Sequence, residues 1–129
     1  MPKSARLFLA IGAIAMFLAV ALGAFGAHAL KEQVAPDLLA IYRTGVEYHF
    51  YHALGLLAIG LVALRLPESK SLRASGWLMA AGVVMFSGSL YLLALTGVHT
   101  LGIITPIGGL AFLAAWLEFA VAILKAPRI

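Results

Sequence analysis

The chain has 129 residues, of which 64% are apolar and only 11% are charged, against about 25% charged residues in a typical soluble domain. Five acidic and nine basic side chains cannot cover so much apolar surface in water, which excludes a soluble globular protein. The net charge of +4 does not indicate nucleic-acid binding, because the bases flank hydrophobic runs and form no patch. The absence of cysteine excludes disulfides and thiol chemistry.

Four hydrophobic runs are long enough to cross a bilayer, which requires about 20 apolar residues in a helix. They cover residues 7–29, 46–64, 76–95 and 103–124, and turn-forming or charged segments separate them. We therefore predict an all-α membrane protein whose single domain, residues 1–129, is an up-down bundle of four transmembrane helices.

The first run follows Lys3 and Arg6 and ends at Ala27-His28-Ala29, which are features that a signal peptide also has. The run is longer than the 7–15 residues of a signal-peptide core, so we interpret it as a retained span. Small residues recur at every fourth position and predict a helix-packing face: Ala15, Ala19, Gly23 and Ala27.

Residues 36–45 precede the second run and have mixed polarity. Asp37 is suited to the start of a helix, and this helix could either lie along the membrane interface or lengthen the second span. We favour the extension of the second span.

The basic residues predict the orientation of the bundle, because cytoplasmic loops are rich in Lys and Arg. Only Lys31 and Arg43 lie on the side opposite the termini. Seven bases lie on the side of the termini: Lys3, Arg6, Arg65, Lys70, Arg73, Lys125 and Arg128. The distribution predicts that both termini are cytoplasmic.

Several polar residues are predicted to gather near the outer ends of the spans. In the second run, Tyr48 and His52 share one helical face, and Glu47 and His49 flank it. His28 ends the first span, Tyr91 lies one turn inside the third, and Thr105 opens the fourth. Such a group could bind a small ligand or relay protons, since ionisable residues within a membrane often mark a functional site. The alternative is an aromatic belt with histidines that cap helix ends, which needs no ligand.

Metal binding and catalysis are less well supported by the sequence. His49 and His52 are spaced to share a metal ion with an oxygen from Glu47, but one His-x-x-His pair is common by chance. Signatures of metalloproteases, serine hydrolases and nucleotide-binding loops are absent. We expect neither an enzyme nor a resident metal or cofactor.

Glu118 lies in the fourth run on the face that carries Ala115 and Ala122. Its carboxylate could point into the bundle or towards a partner, because contact with lipid would oppose the charge. It could equally extend to the cytoplasmic surface.

Four strings resemble the domain of unknown function 423 family, a group of small bacterial membrane proteins related to eukaryotic transmembrane protein 256. They are Leu-Gly-Ala-Phe-Gly-Ala-His-Ala-Leu at 22–30, the His-Ala-Leu-Gly segment within 48–56, Phe-Ser-Gly-Ser-Leu-Tyr at 86–91, and Thr-Pro-Ile-Gly-Gly at 105–109. They occur in order over nearly the whole chain.

The resemblance implies a four-span protein of the bacterial plasma (inner) membrane without an established activity. Its motifs fall on most of the polar residues already described. We accordingly rank as candidate ligand-binding residues His28, Tyr48, His52, Ser87, Tyr91 and Thr105, and place second Glu47, His49 and Glu118. The expected function is to bind or pass a small ligand, lipid or proton. The alternative is an accessory or scaffold subunit, with the bilayer and a homo-oligomer or larger membrane complex as partners.

Overall fold

The computed structural model describes residues 1–128, and every regular element in that range is helical. The main α-helices are α1 (Lys3–Phe25), α2 (Pro36–Ala63), α3 (Lys70–Gly82), α4 (Gly88–Thr96) and α5 (Ile104–Leu124). Two π-helical turns, Gly26–Leu30 and Val83–Ser87, extend α1 and join α3 to α4, and a 3₁₀ turn, His99–Ile103, leads into α5.

These elements form four helices that are long and apolar enough to span a membrane: Lys3–Leu30, Pro36–Ala63, Lys70–Thr96 and His99–Leu124. The four predicted transmembrane helices are therefore confirmed. Each helix reaches beyond its hydrophobic run at one end or both, because polar residues near a helix end can stay in contact with water.

The helix ends follow local rules of capping. Pro36 begins α2, where its missing N–H costs no hydrogen bond, and Asp37 follows in the first turn. Ser69 caps α3 by accepting a 3.2 Å hydrogen bond from the Leu72 N–H. At Gly97 the backbone turns left-handed, with φ of 71°, and ends α4.

α1 and α2 form an antiparallel hairpin that two glycines bring together. A Cβ atom on Gly12 would lie 2.9 Å from the backbone nitrogen of Leu57, and one on Gly60 would lie 2.8 Å from that of Leu9. Such close approach of backbones is typical of packing between helices in membranes. Of the predicted small-residue face of α1, Ala15 and Ala19 are buried, whereas Ala27 is exposed.

The third and fourth spans form a second hairpin with a similar reciprocal contact. Gly82 faces the ring of Phe112, and Gly108 faces the backbone of Phe86. Ser75 stabilises this hairpin by donating a 2.7 Å hydrogen bond to the carbonyl of Ala115.

α2 is central in the bundle, because it packs on α1 and also along the whole third span. The first and third spans touch mainly at one end, where Phe8 packs against Gly76 and against the edge of the Trp77 ring. Beyond that contact they diverge, and the space between them reaches the side of α2.

Candidate functional site

Two histidines lie near the midpoint of α2. This helix begins at Pro36, ten residues before the predicted start of the second span. At 1.5 Å per residue, His49 and His52 are about 20 Å or more along the axis from Pro36. The extension of the second span is thus confirmed, and these side chains lie farther from the start of the helix than they would if it began at Val46.

His49 and His52 are both buried, with 4% and 5% of their surfaces exposed, but they face different neighbours. His52 stacks on Phe112 of α5, with ring centroids 3.4 Å apart, and its Nδ1 is 2.6 Å from the carbonyl of Tyr48. Tyr48 also packs against Phe86. His52 therefore belongs to an aromatic cluster that holds α2 against the second hairpin.

His49 instead pairs with Tyr91, from a neighbouring face of α2. Its Nδ1 lies 2.8 Å from the Tyr91 hydroxyl, which joins the second span to the third. The ring of Tyr91 also packs against Gly45, where a Cβ atom would lie 3.0 Å from the ring. The contact with Gly45 thus fixes the position of the Tyr91 ring along α2, beside His49.

The second ring nitrogen of His49 has no partner. Among the buried side-chain nitrogen and oxygen atoms of the described residues, only Nε2 of His49 makes no hydrogen bond. The backbone of Ala15 in α1 also lies close to the ring of His49. An unsatisfied buried polar group costs about 1–3 kcal/mol, so this nitrogen requires an explanation.

An apolar groove of about 410 Å³ lies beside this pair. It runs between the first and third spans, with His49 and Leu56 of α2 at its base. Its side walls are formed mostly by aliphatic residues: Ile11, Ile14, Ala15, Leu18 and Leu22 on one side, and Ala80, Val83, Val84, Gly88 and Tyr91 on the other. Ile14 and Val84 are 61% and 72% exposed, so the groove opens on the surface that faces lipid.

Gly88 leaves one wall of the groove open. A Cβ atom on this residue would meet nothing within 4 Å. Every other helical glycine of the bundle faces a neighbour within that distance. Gly88 therefore serves no helix contact within the described residues, and it lines both this groove next to Tyr91 and a second apolar groove of about 480 Å³ that reaches Leu101 and Ile104.

The π-helical turn Val83–Ser87 directly precedes Gly88 and sets the position of Tyr91. π-Helical turns are rare and frequently occur at functional sites. Here Ser87 donates a 2.7 Å hydrogen bond to the carbonyl of Gly45, which anchors the turn to α2. The turn supplies Val83 and Val84 to the groove wall.

Other predicted site residues lie elsewhere. Thr105 is hydrogen-bonded to Ser89 at 2.6 Å, between the third and fourth spans. His28 is exposed at the end of the first span, and Glu47 is exposed and bonded to the hydroxyl of Tyr51. Glu118 is half-buried in α5. Of the nine ranked residues, the structure brings together His49 and Tyr91 at the groove, and separately Tyr48 and His52 in the aromatic cluster.

The proposed sharing of a metal ion by His49 and His52 has no geometric support. No group of three His, Asp or Glu side chains in residues 1–128 could hold an ion. His49 faces the groove, whereas His52 is stacked on Phe112. The His-x-x-His spacing therefore places the two rings against different helices.

Sequence reasoning missed the aliphatic lining of the groove and the role of Gly88. Ile14, Leu18 and Val84 resemble any other residues that face lipid, and nothing in the pattern marks where two spans diverge. The absence of a residue that could pack against Gly88 becomes visible only in three dimensions.

Four hydrophobic helices and a buried polar pair beside a groove open to lipid define a small polytopic integral membrane protein. Residues 22–109 match the family described as "Protein of unknown function (DUF423)". This match confirms the resemblance found in the four strings, and the chain belongs to that family.

The relatives extend this likeness over nearly the entire chain. It is 48% identical over 120 residues to the UPF0382 membrane protein YwdK of Bacillus subtilis, covering 93% of this chain and 98% of the relative. It is 45% identical to a UPF0382 membrane protein of Staphylococcus epidermidis and 43% identical to one of Staphylococcus haemolyticus, each covering 93% of this chain and 97% of the relative. No solved structure matches the chain.

Proposed function

We propose that this membrane protein binds a small lipid-soluble molecule, which enters the groove sideways from the bilayer and contacts His49 and Tyr91. The observation that carries the proposal is the groove open to lipid, which His49 helps to line; the Nε2 atom of this histidine is buried and has no hydrogen-bond partner in the described protein. A ligand that bonds to this nitrogen would remove the cost of leaving it unsatisfied.

The size and lining of the groove support binding of a ligand. Its volume of about 410 Å³ falls in the usual range of ligand pockets, roughly 300–1,000 Å³. Such pockets are mostly apolar and have a few polar groups that orient the ligand, as His49 and Tyr91 would here. The site has the form of a binding site, and we propose a binding protein rather than an enzyme.

The bacterial plasma membrane is the location that we propose. The relatives from Bacillus and Staphylococcus are named membrane proteins, and this chain has four helices that are long and apolar enough to span a membrane. Lateral entry from such a membrane requires no aqueous path to His49.

The test compares lipids that co-purify with the wild type and with a variant whose groove is filled. Gly88→Leu adds a side chain where a Cβ atom meets nothing, so it should fill the groove while the backbone stays in place. Ala120→Leu adds the same side chain at an exposed position of α5 outside the groove and serves as the matched control.

Both variants and the wild type are extracted from bacterial membranes in mild detergent, and the bound small molecules are identified by mass spectrometry. We expect a species near one per protein in the wild type and in Ala120→Leu, reduced at least tenfold in Gly88→Leu. Equal amounts in all three proteins, or no bound species in the wild type, would overturn the proposal.

A second candidate function is that of an accessory subunit in a larger membrane complex or homo-oligomer, and Glu118 favours it. This carboxyl group is half-buried in a membrane-spanning helix and forms no ion pair within the described residues. A base on another chain would offset its charge. Cross-linking in native membranes tests this candidate, and exclusively monomeric protein without a partner would contradict it.

A further inference from the structure

We infer that the ligand of the groove is a neutral lipid with one slender hydrocarbon chain and a head group whose oxygen accepts a hydrogen bond from His49 Nε2–H. This inference rests on the proposed function, because it names the class of ligand for the same site. Three features of the groove carry it: the hydrogen bonding of Tyr91, the absence of charge from the lining, and the shape of the walls.

The hydrogen bonding identifies Nε2 as a donor. The Tyr91 hydroxyl makes a single hydrogen bond within the described residues, to His49 Nδ1. If Nδ1 carried the hydrogen, both the Tyr91 hydrogen and the Nε2 lone pair would lack partners. If Tyr91 donates to Nδ1, the hydrogen of the neutral imidazole is on Nε2, and only that donor seeks an acceptor. The second arrangement leaves fewer unsatisfied groups and is favoured.

The lining of the groove requires an uncharged head group. Its twelve residues include no Asp, Glu, Lys or Arg. A phosphate or carboxylate beside His49 would therefore be desolvated without a fixed countercharge, and an ammonium head would meet a donor instead of an acceptor. An ester or ketone carbonyl, an ether or a hydroxyl oxygen satisfies both conditions.

The walls of the groove fit a single extended chain. Along α1 the lining runs from Ile11 to Leu22, a distance of about 16 Å at 1.5 Å per residue. The lining of the groove is aliphatic except for the ring of Tyr91, the imidazole of His49 and Gly88. Contacts of this kind suit an acyl or isoprenoid tail that lies parallel to the helices.

The head-group requirement is tested with probes that share a chain of eighteen carbons. Methyl oleate presents a neutral acceptor, oleate presents an anion, and 1-octadecene has no polar head. The full-length protein is first freed of bound lipid by extensive detergent exchange, and each probe is then titrated and followed by native mass spectrometry. Geranylgeranyl acetate, in a parallel titration, distinguishes an isoprenoid tail from an acyl tail.

We expect methyl oleate or the isoprenoid ester to bind at least tenfold more tightly than oleate and 1-octadecene. His49→Phe keeps an aromatic ring but removes the donor, and it should reduce this preference over 1-octadecene to less than threefold. His28→Gln, at an exposed histidine outside the groove, is the control and should keep the preference. In the wild type, the NMR resonance of His49 Nε2–H should shift on binding of the ester.

Tight binding of oleate, or equal binding of methyl oleate and 1-octadecene, would overturn the inference about the head group. If none of the probes bound while a native species was still lost in Gly88→Leu, the ligand class would be wrong but the proposed function would stand. If Gly88→Leu kept both the native species and the probes, the proposed function itself would fail.

Discussion

Ser87 Oγ donates a 2.7 Å hydrogen bond to the backbone carbonyl of Gly45, and thereby ties the π-helical turn of the third span to α2. The serine is fully buried, so no solvent competes for the bond. The turn that this bond holds contributes Val83 and Val84 to the groove wall and Phe86 to the aromatic cluster around His52.

The first prediction concerns this hydrogen bond. Ser87→Ala should destabilise the protein by about 0.5–1.5 kcal/mol, the range found for hydrogen bonds between helices in membranes. Thermal unfolding in detergent measures the loss. Thr44→Ala is the control, because the Thr44 hydroxyl bonds only within its own helix, to the carbonyl of Ala40, and is exposed. An equal loss in both variants would show that the contact between spans is unimportant.

The second prediction concerns the crossing of α1 and α2. Gly12→Ala should destabilise the hairpin by about 1–3 kcal/mol, because the new methyl group would meet the backbone of Leu57, which cannot move alone. Gly109→Ala is the matched control, since its Cβ atom would lie at an ordinary contact distance of 3.8 Å from Phe86. The difference between the two melting temperatures is the measurement, and no difference would contradict the packing described for the first hairpin.

A third prediction separates the two buried histidines. His52→Ala should cost about 2–4 kcal/mol, because it removes a ring that is stacked on Phe112 within the core. It should leave the lipid that co-purifies with the protein unchanged at a temperature where the variant is folded. His28→Ala should alter neither property, since His28 is exposed and outside the groove.

Unfolding in detergent and mass spectrometry of the bound lipid provide both readouts. Loss of the lipid in folded His52→Ala would move the binding site to the aromatic cluster. Loss in His28→Ala would support the ranking of that residue inferred from the sequence.

The fourth prediction is that both termini are cytoplasmic. Seven bases lie at the end of the bundle that carries the termini and the loop between the second and third spans, and two lie at the other end. Reporter fusions after each span should give a cytoplasmic signal after the second and fourth, and an exterior signal after the first and third. The reverse pattern would contradict the charge argument.

The architecture was largely predictable from the sequence, but the arrangement of the site was not. Four spans follow from the length of the hydrophobic runs, since few other structures can bury them. The extension of the second span over residues 36–45 is also predicted, and α2 begins at Pro36. Hydrophobicity alone places the start of the second run at Val46, because residues 36–45 mix polar and apolar side chains, so the position of His49 and His52 at the middle of the helix depends on that extension.

The partners of each histidine depend on how the helices pair, which hydrophobic runs do not encode. Spacing along α2 placed His49 beside the face shared by Tyr48 and His52, yet only the packed bundle shows that His49 meets Tyr91. From the sequence, His49 ranks below His28, because the family resemblance assigns it no motif position. The structure gives it the unpartnered nitrogen and the groove.

The π-helical turn Val83–Ser87 also constrains which changes in chain length the third span can tolerate. A π-helical turn accommodates one residue more than an α-helical turn while the flanking helices keep their relative orientation. If the same residues formed an ordinary α-helix, α4 would be turned by about 100° relative to α3, and either Tyr91 would leave His49 or Ser75 would leave Ala115. The turn thus absorbs one residue, and a homologue that lacks one residue at this point should keep both contacts with an ordinary α-helix.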